Sequence, residues 1–105
     1  MAFYLVRAKP KMELMKDLRQ ELNSGKILKM RPFGRALQKS LENARFDTAN
    51  RDYAVWIEED YESPPLGMER ESVLDRYFDD IAVGVDAEEQ GWNSINDKPR
   101  LWENK

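Results

Sequence analysis

The chain has 105 residues, a net charge of -3 and neither cysteine nor histidine. That length makes one domain with a core of its own and no need of disulfide staples. The missing residues exclude disulfides, thiolate nucleophiles, Cys-based zinc sites and Ser–His or Cys–His catalysis, and they leave any acid–base chemistry to Asp, Glu, Tyr or Lys.

Residues 2–8 are aromatic and branched and read as a strand buried on both faces. They are too short for a membrane span or a signal core, and Arg7 and Lys9 follow at once, so the expectation is a cytoplasmic protein with no membrane partner. Pro10 sits where a helix begins. Over 11–24, Met12, Met15, Leu18 and Leu22 recur at helical spacing with Leu14 beside them, and Gly25 supplies a stop. Residues 27–31 read as a second strand, ended by Pro32 and Gly34. Leu37, Leu41 and Ala44 then mark a short second helix over 35–44.

The segment 45–52 is polar and turn-like. Residues 53–58 read as a third strand. Ser63 and Pro64 suit the start of a helix whose apolar stripe is Leu66, Val73, Leu74, Tyr77, Phe78 and Ile81. A fourth strand covers 81–85. The apolar residues thus cluster in segments, although 35% of the chain is charged and the mean hydropathy is -0.80. The expectation is a single α+β domain over 1–86, with a polar C-terminal extension over 87–105 that carries Trp92 and Trp102.

With the short helix set aside, this order is the βαββαβ pattern of the ferredoxin-like fold, with helices on one face and the short helix between strands two and three. Strand and helix order over 2–85, Gly25-Lys26-Ile27-Leu28 after the first helix, and Leu74-Asp75-Arg76-Tyr77-Phe78 together resemble the small dimeric ferredoxin-like proteins, the YCII-related and muconolactone-isomerase-like groups. The resemblance implies a dimer. YCII-like proteins are associated with a histidine that this chain lacks, so no catalytic role carries over.

Alternation along the strands sets Tyr53, Val55 and Ile57 on one face and Ala54, Trp56 and Glu58 on the other. Tyr4, Val6 and Ala8 likewise oppose Phe3, Leu5 and Arg7. Both sheet faces are apolar, and helices on one side cover only one of them. A second copy of the chain is the leading expectation for the other, ahead of the tail folding back through Trp92 or Trp102.

Two charged groups are candidate sites. Glu58, Glu59, Asp60 and Glu62 form an acidic cluster in which Glu58 and Asp60 point the same way, about 7 Å apart by two strand rises. They suit a divalent cation or an acid–base pair, or simply a solvated strand end before a helix start. Arg7, Lys9, Lys29, Arg31 and Arg35 form a cationic set for a carboxylate or phosphate, unless they are ordinary ion pairs, with Arg7 reaching Glu58 across the sheet.

Trp56 and Tyr61 are candidates to line a pocket, and Met12, Met15 and Met30 are expected as core filler. The ligand-binding set expected from sequence is therefore Arg7, Arg31, Trp56, Glu58 and Asp60, with no metal and no cofactor. The function expected is a homodimeric small-molecule-binding or interaction module that takes a small anionic ligand. A small isomerase or lyase working through Glu58 or Asp60 is the alternative. The pI of about 5.1 and the absence of an RNP-like pattern speak against nucleic acid.

Overall fold

The structure is a computed structural model. It describes residues 2–60, 66–84, 92 and 95–102, with the side chains of Ala2 and Asp60 left aside. Strand β1 (Ala2–Pro10) leads through a 3-10 turn, Met12–Leu14, into α1 (Met15–Ser24) and then α2 (Gly34–Glu42). The two-residue β2 (Arg45–Phe46) and β3 (Ala54–Asp60) follow. The third helix, α3, spans 67–77 and carries a π turn, Arg70–Leu74, in its middle; β4 (Phe78–Gly84) begins where it stops. The four strands form one sheet in the order β2-β3-β1-β4, and every pairing is antiparallel. The domain is therefore α+β.

Register explains which side chains are inside. Val6 lies opposite Trp56 and Val83, and Ala8 opposite Ala54. Val6, Ala8, Ala54 and Trp56 are all fully buried, in one cluster with Met15, Leu18 and Leu22 of α1, Leu37 and Leu41 of α2, and Val73 and Leu74 of α3. In α1 the inward residues fall at i, i+3 and i+7, the stripe of a helix with one face on the core. Gly25 ends α1 in the left-handed region at φ 81°, where a Cβ is costly, and its N–H donates to Leu22 O. In α2, Ser40 Oγ donates to Ile57 O at 2.8 Å and pins the helix to β3.

The structure departs from the sequence expectations in several places. Residues 27–31 are not a strand. Their backbone closes turns instead, with Lys29 N–H donating to Gly25 O, Met30 N–H to Ile27 O and Gly34 N–H to Met30 O. Five apolar-rich residues between glycines are equally compatible with such a turn, and periodicity alone does not separate the two. The second strand lies at Arg45–Phe46 instead, within the segment expected to be a turn. Two residues are too few to show alternation, and their partners, Val55 and Ala54, are remote in sequence.

The short helix accordingly precedes β2; it does not separate strands two and three. Finally, Phe78 and Ile81 belong to β4 and not to α3. Met12 is 60% exposed, so it is not core filler, whereas Met15 is buried.

Beside β4 the sheet is irregular. The β1–β4 register shifts between Arg7 and Lys9, and Asp80 takes φ 53° at this bulge. Aspartate tolerates the left-handed region better than most residues. Tyr53 Oη donates to Asp80 Oδ2 at 3.1 Å across the sheet.

The tail folds back onto the domain. Leu101 N–H donates to Ala44 O, Phe46 N–H donates to Pro99 O, and Arg45 bridges to Arg100 beside the β2 edge. Trp102 Nε1 donates to Leu41 O at 2.6 Å, and the Arg19 guanidinium lies 5.0 Å from its ring centre. On the second sheet face Ile95 is buried with Val55 and Ile57, and Phe3 and Trp92 pack against them. The β3 side of that face is therefore covered by the chain's own tail. The β1–β4 side stays more open, with Leu5 36% exposed.

Candidate functional site

The residues singled out from sequence lie in three separate places. Arg7 is on the second sheet face, opposite Val55 and Ala82. Its Nε donates to Asp47 Oδ2 at 2.8 Å, and its guanidinium stacks 3.9 Å from the centre of the Tyr53 ring. Asp47 is further held by the Ala49 N–H at 2.9 Å. The Arg7 hydrogen bond is the largest influence on Asp47. Despite some opposing desolvation, it holds the carboxyl below its ordinary value of 3.8.

A depressed folded-state value means that this contact stabilises the protein above pH 3.8. The contribution is lost as pH falls through the lower folded value. Arg7→Gln is expected to bring Asp47 back up toward 3.8, read from its carboxyl carbon shift during an NMR pH titration. An unmoved midpoint would show that Arg7 does not set it.

Trp56 and Glu58 lie on the helix-covered face. Trp56 is fully buried, its ring 5.1 Å from that of Phe78, and is part of the core. Glu58 is also fully buried, opposite Tyr4 in β1. Arg7 and Glu58 thus occupy opposite faces of the sheet; the partner of Arg7 is Asp47. Asp60 ends β3 opposite Ala2, and its side chain, like Tyr61, Glu62, Ser63 and Pro64, lies outside the described residues. Among the described residues no three carboxylates converge to hold a metal ion, and no helix is long and apolar enough to cross a membrane.

Arg31 lies elsewhere, in the loop 25–33 between α1 and α2. There it lines a pocket of about 330 Å³ together with Leu28, Lys29, Met30, Pro32 and Arg35. Ile27 and Phe33 are buried and anchor the loop at either end. Gly34 closes it. A Cβ on Gly34 would sit 2.7 Å from Leu28 O and nearer still to Ile27 O, so the loop backbone is packed directly against the start of α2.

All three cations of this pocket are exposed. Among the described residues none of them has an ion-pair partner, in contrast with Arg7, Lys11, Arg19, Lys26, Arg70 and Arg76. The apolar half of the wall is Leu28, Met30 and Pro32, and Leu28 is 46% exposed. A concave site with an apolar wall and a few convergent charges is the usual form of a small-molecule site.

A second groove, about 490 Å³, runs between α1 and the end of α3. It is lined in part by Asp17, Glu21, Lys26, Arg76 and Tyr77, so two carboxylates of its own stand beside its two cations, with Glu21 3.6 Å from Lys26 and 3.8 Å from Arg76. Burial raises the Tyr77 phenol above its ordinary value, which keeps it a neutral wall. The groove is chemically closed by its own charges, whereas the loop pocket is not.

Sequence alone groups Lys29, Arg31 and Arg35 with Arg7 and Lys9 at one sheet end, whereas the fold sets the first three at the loop pocket and Arg7 and Lys9 on β1. A stronger signal was available. From 22 to 41 the chain carries Lys26, Lys29, Arg31, Arg35 and Lys39 and not one carboxylate, within a protein that is acidic as a whole. Such a segment has no local acid to pair with. No family model, curated protein or solved structure matches this chain, so the loop pocket stands on its own geometry.

Proposed function

We propose that this protein is a binding module for a small anionic ligand, with the pocket of Lys29, Arg31 and Arg35 as its recognition site. The observation that carries the reading is the grouping of three exposed cations, without ion-pair partners among the described residues, around one apolar-walled pocket. Unneutralised cations around a concavity focus potential and draw an anion in, and the Arg guanidinium offers a planar fork to carboxylate or phosphate. The packing of Gly34 against Leu28 and the burial of Ile27 and Phe33 hold the loop ready, so little ordering is left to be done on binding.

The order β2-β3-β1-β4, with helices between β1 and β2 and between β3 and β4, supports reading the scaffold as ferredoxin-like.

Calorimetric titration of the full chain with small organic anions at low salt is expected to show binding that weakens as salt is added. Arg31→Gln and Arg35→Gln are each expected to weaken it about tenfold, the loss of one charge-assisted contact. Arg51→Gln, on an exposed turn, is expected to leave it unchanged. Equal loss in all three variants would remove the pocket from the account.

A second reading is self-association, favoured by the open β1–β4 side of the second face. There Leu5, paired with Gly84, is 36% exposed and Ala82 is exposed. Light scattering is expected to give twice the 12.4 kDa chain mass, and the single-chain mass would end this reading.

A further inference from the structure

We infer that the anion taken by the loop pocket is a phosphate monoester carried on an apolar or aromatic body. The inference rests on the anion-binding reading above and narrows it to one ligand class. A monocarboxylate carries a single charge on two oxygens in one plane, and one guanidinium fork already balances that charge and engages both oxygens. At this pocket that would leave two of Lys29, Arg31 and Arg35 without a counter-charge among the described residues, whose share of the wall contains no carboxylate to supply one.

A phosphate monoester matches the site in charge and in the number of its acceptor oxygens. It carries a charge near -2 above about pH 6 and presents three terminal oxygens in a tetrahedral array. Two Arg forks and one Lys ammonium then each find an oxygen. Arg31 and Arg35 are suited to planar paired contacts, and Lys29 to a point charge. A dianion also feels each of the three cations twice as strongly as a monoanion at the same distance.

The rest of the ligand follows from the other half of the wall. Leu28, Met30 and Pro32 present apolar surface, and Leu28 is 46% exposed at the pocket. The volume of about 330 Å³ exceeds what a bare phosphate group fills. Room therefore remains for an organic body lying against Leu28 and Met30. Such a headgroup has two sources, a soluble phosphate ester or the phosphate of an anionic lipid, and the chain's net charge of -3, which an anionic membrane surface repels, favours the soluble ester.

The test is a calorimetric titration of the full chain with phenyl phosphate, benzoate and inorganic phosphate at pH 7.5 and low salt. Phenyl phosphate is expected to bind about tenfold more tightly than benzoate, the same ring with the smaller charge. It is also expected to bind more tightly than inorganic phosphate, and to lose about tenfold in affinity at pH 5, where it becomes a monoanion. The chain has no histidine to change charge over that range.

Equal binding of benzoate and phenyl phosphate, both weakened by Arg31→Gln and Arg35→Gln, would overturn the phosphate inference and leave the anion pocket standing. Absence of binding by all three, in protein with a native circular dichroism spectrum, would overturn both. Inorganic phosphate binding as tightly as phenyl phosphate would overturn the apolar body. Binding to vesicles containing phosphatidic acid, but not to phenyl phosphate, would uphold the phosphate chemistry and overturn the soluble source.

Discussion

Trp56→Ala is expected to destabilise the protein by about 4 kcal/mol, read as a fall in the urea midpoint with little change in slope. Trp56 is fully buried, faces Val6 across the β1–β3 pair and meets the Phe78 ring at 5.1 Å. Truncation removes the largest side chain of the core, and the strand pairs around it leave little freedom to collapse into the space. Since domains of this size have a total stability of about 5–15 kcal/mol, the variant lies near the limit of folding.

Trp56→Phe serves as the companion, because it keeps a ring against Phe78. It is expected to cost less than half as much. Among the described residues the buried Nε1 has no hydrogen-bond partner, so deleting the indole N–H relieves a desolvation penalty while the smaller ring opens a gap. A loss below about 1 kcal/mol for Trp56→Ala would mean that the site collapses freely or that Trp56 lies outside the core.

Gly34→Ala is expected to cost about 3 kcal/mol and to weaken anion binding along with it. Helix propensity alone points the other way, since alanine is about 1 kcal/mol better than glycine within a helix. Steric contact decides the sign. The new Cβ would meet Leu28 O at 2.7 Å and Ile27 O more closely, and both are backbone atoms that move only with the whole loop. The loop shifts, and Lys29 and Arg31 shift with it. A stabilised Gly34→Ala variant that binds anions normally would show that the loop is not packed in this way.

The legible parts of the fold were those with long, regular patterns. The aromatic and branched runs of β1 and β3 gave the two central strands, and Met15, Leu18 and Leu22 with Gly25 gave α1 and its end. Strand β2 was illegible because two residues carry no period. They are strands only through Val55 and Ala54 on one side and Pro99 on the other. The tail was only half legible. Trp92 and Trp102 stand out in a polar segment, but nothing local says that Trp102 reaches Leu41 O or that Ile95 covers Val55 and Ile57.

At the site, residue chemistry was readable and placement was not. Arg7, Trp56 and Glu58 share two neighbouring strands, yet strand alternation sends Arg7 to one face and Trp56 and Glu58 to the other. Arg31 is brought beside Lys29 and Arg35 by a turn that an apolar run disguised as a strand.

We propose that the loop 25–33 and the start of α2 form an anion site. Its most direct test is amide shift mapping on the full chain as phenyl phosphate is added. The expected result is a set of saturable shifts confined to residues around 28–35 and lost in Arg31→Gln. Shifts centred on Arg7 and Tyr53, or spread evenly over the exposed cations, would contradict it.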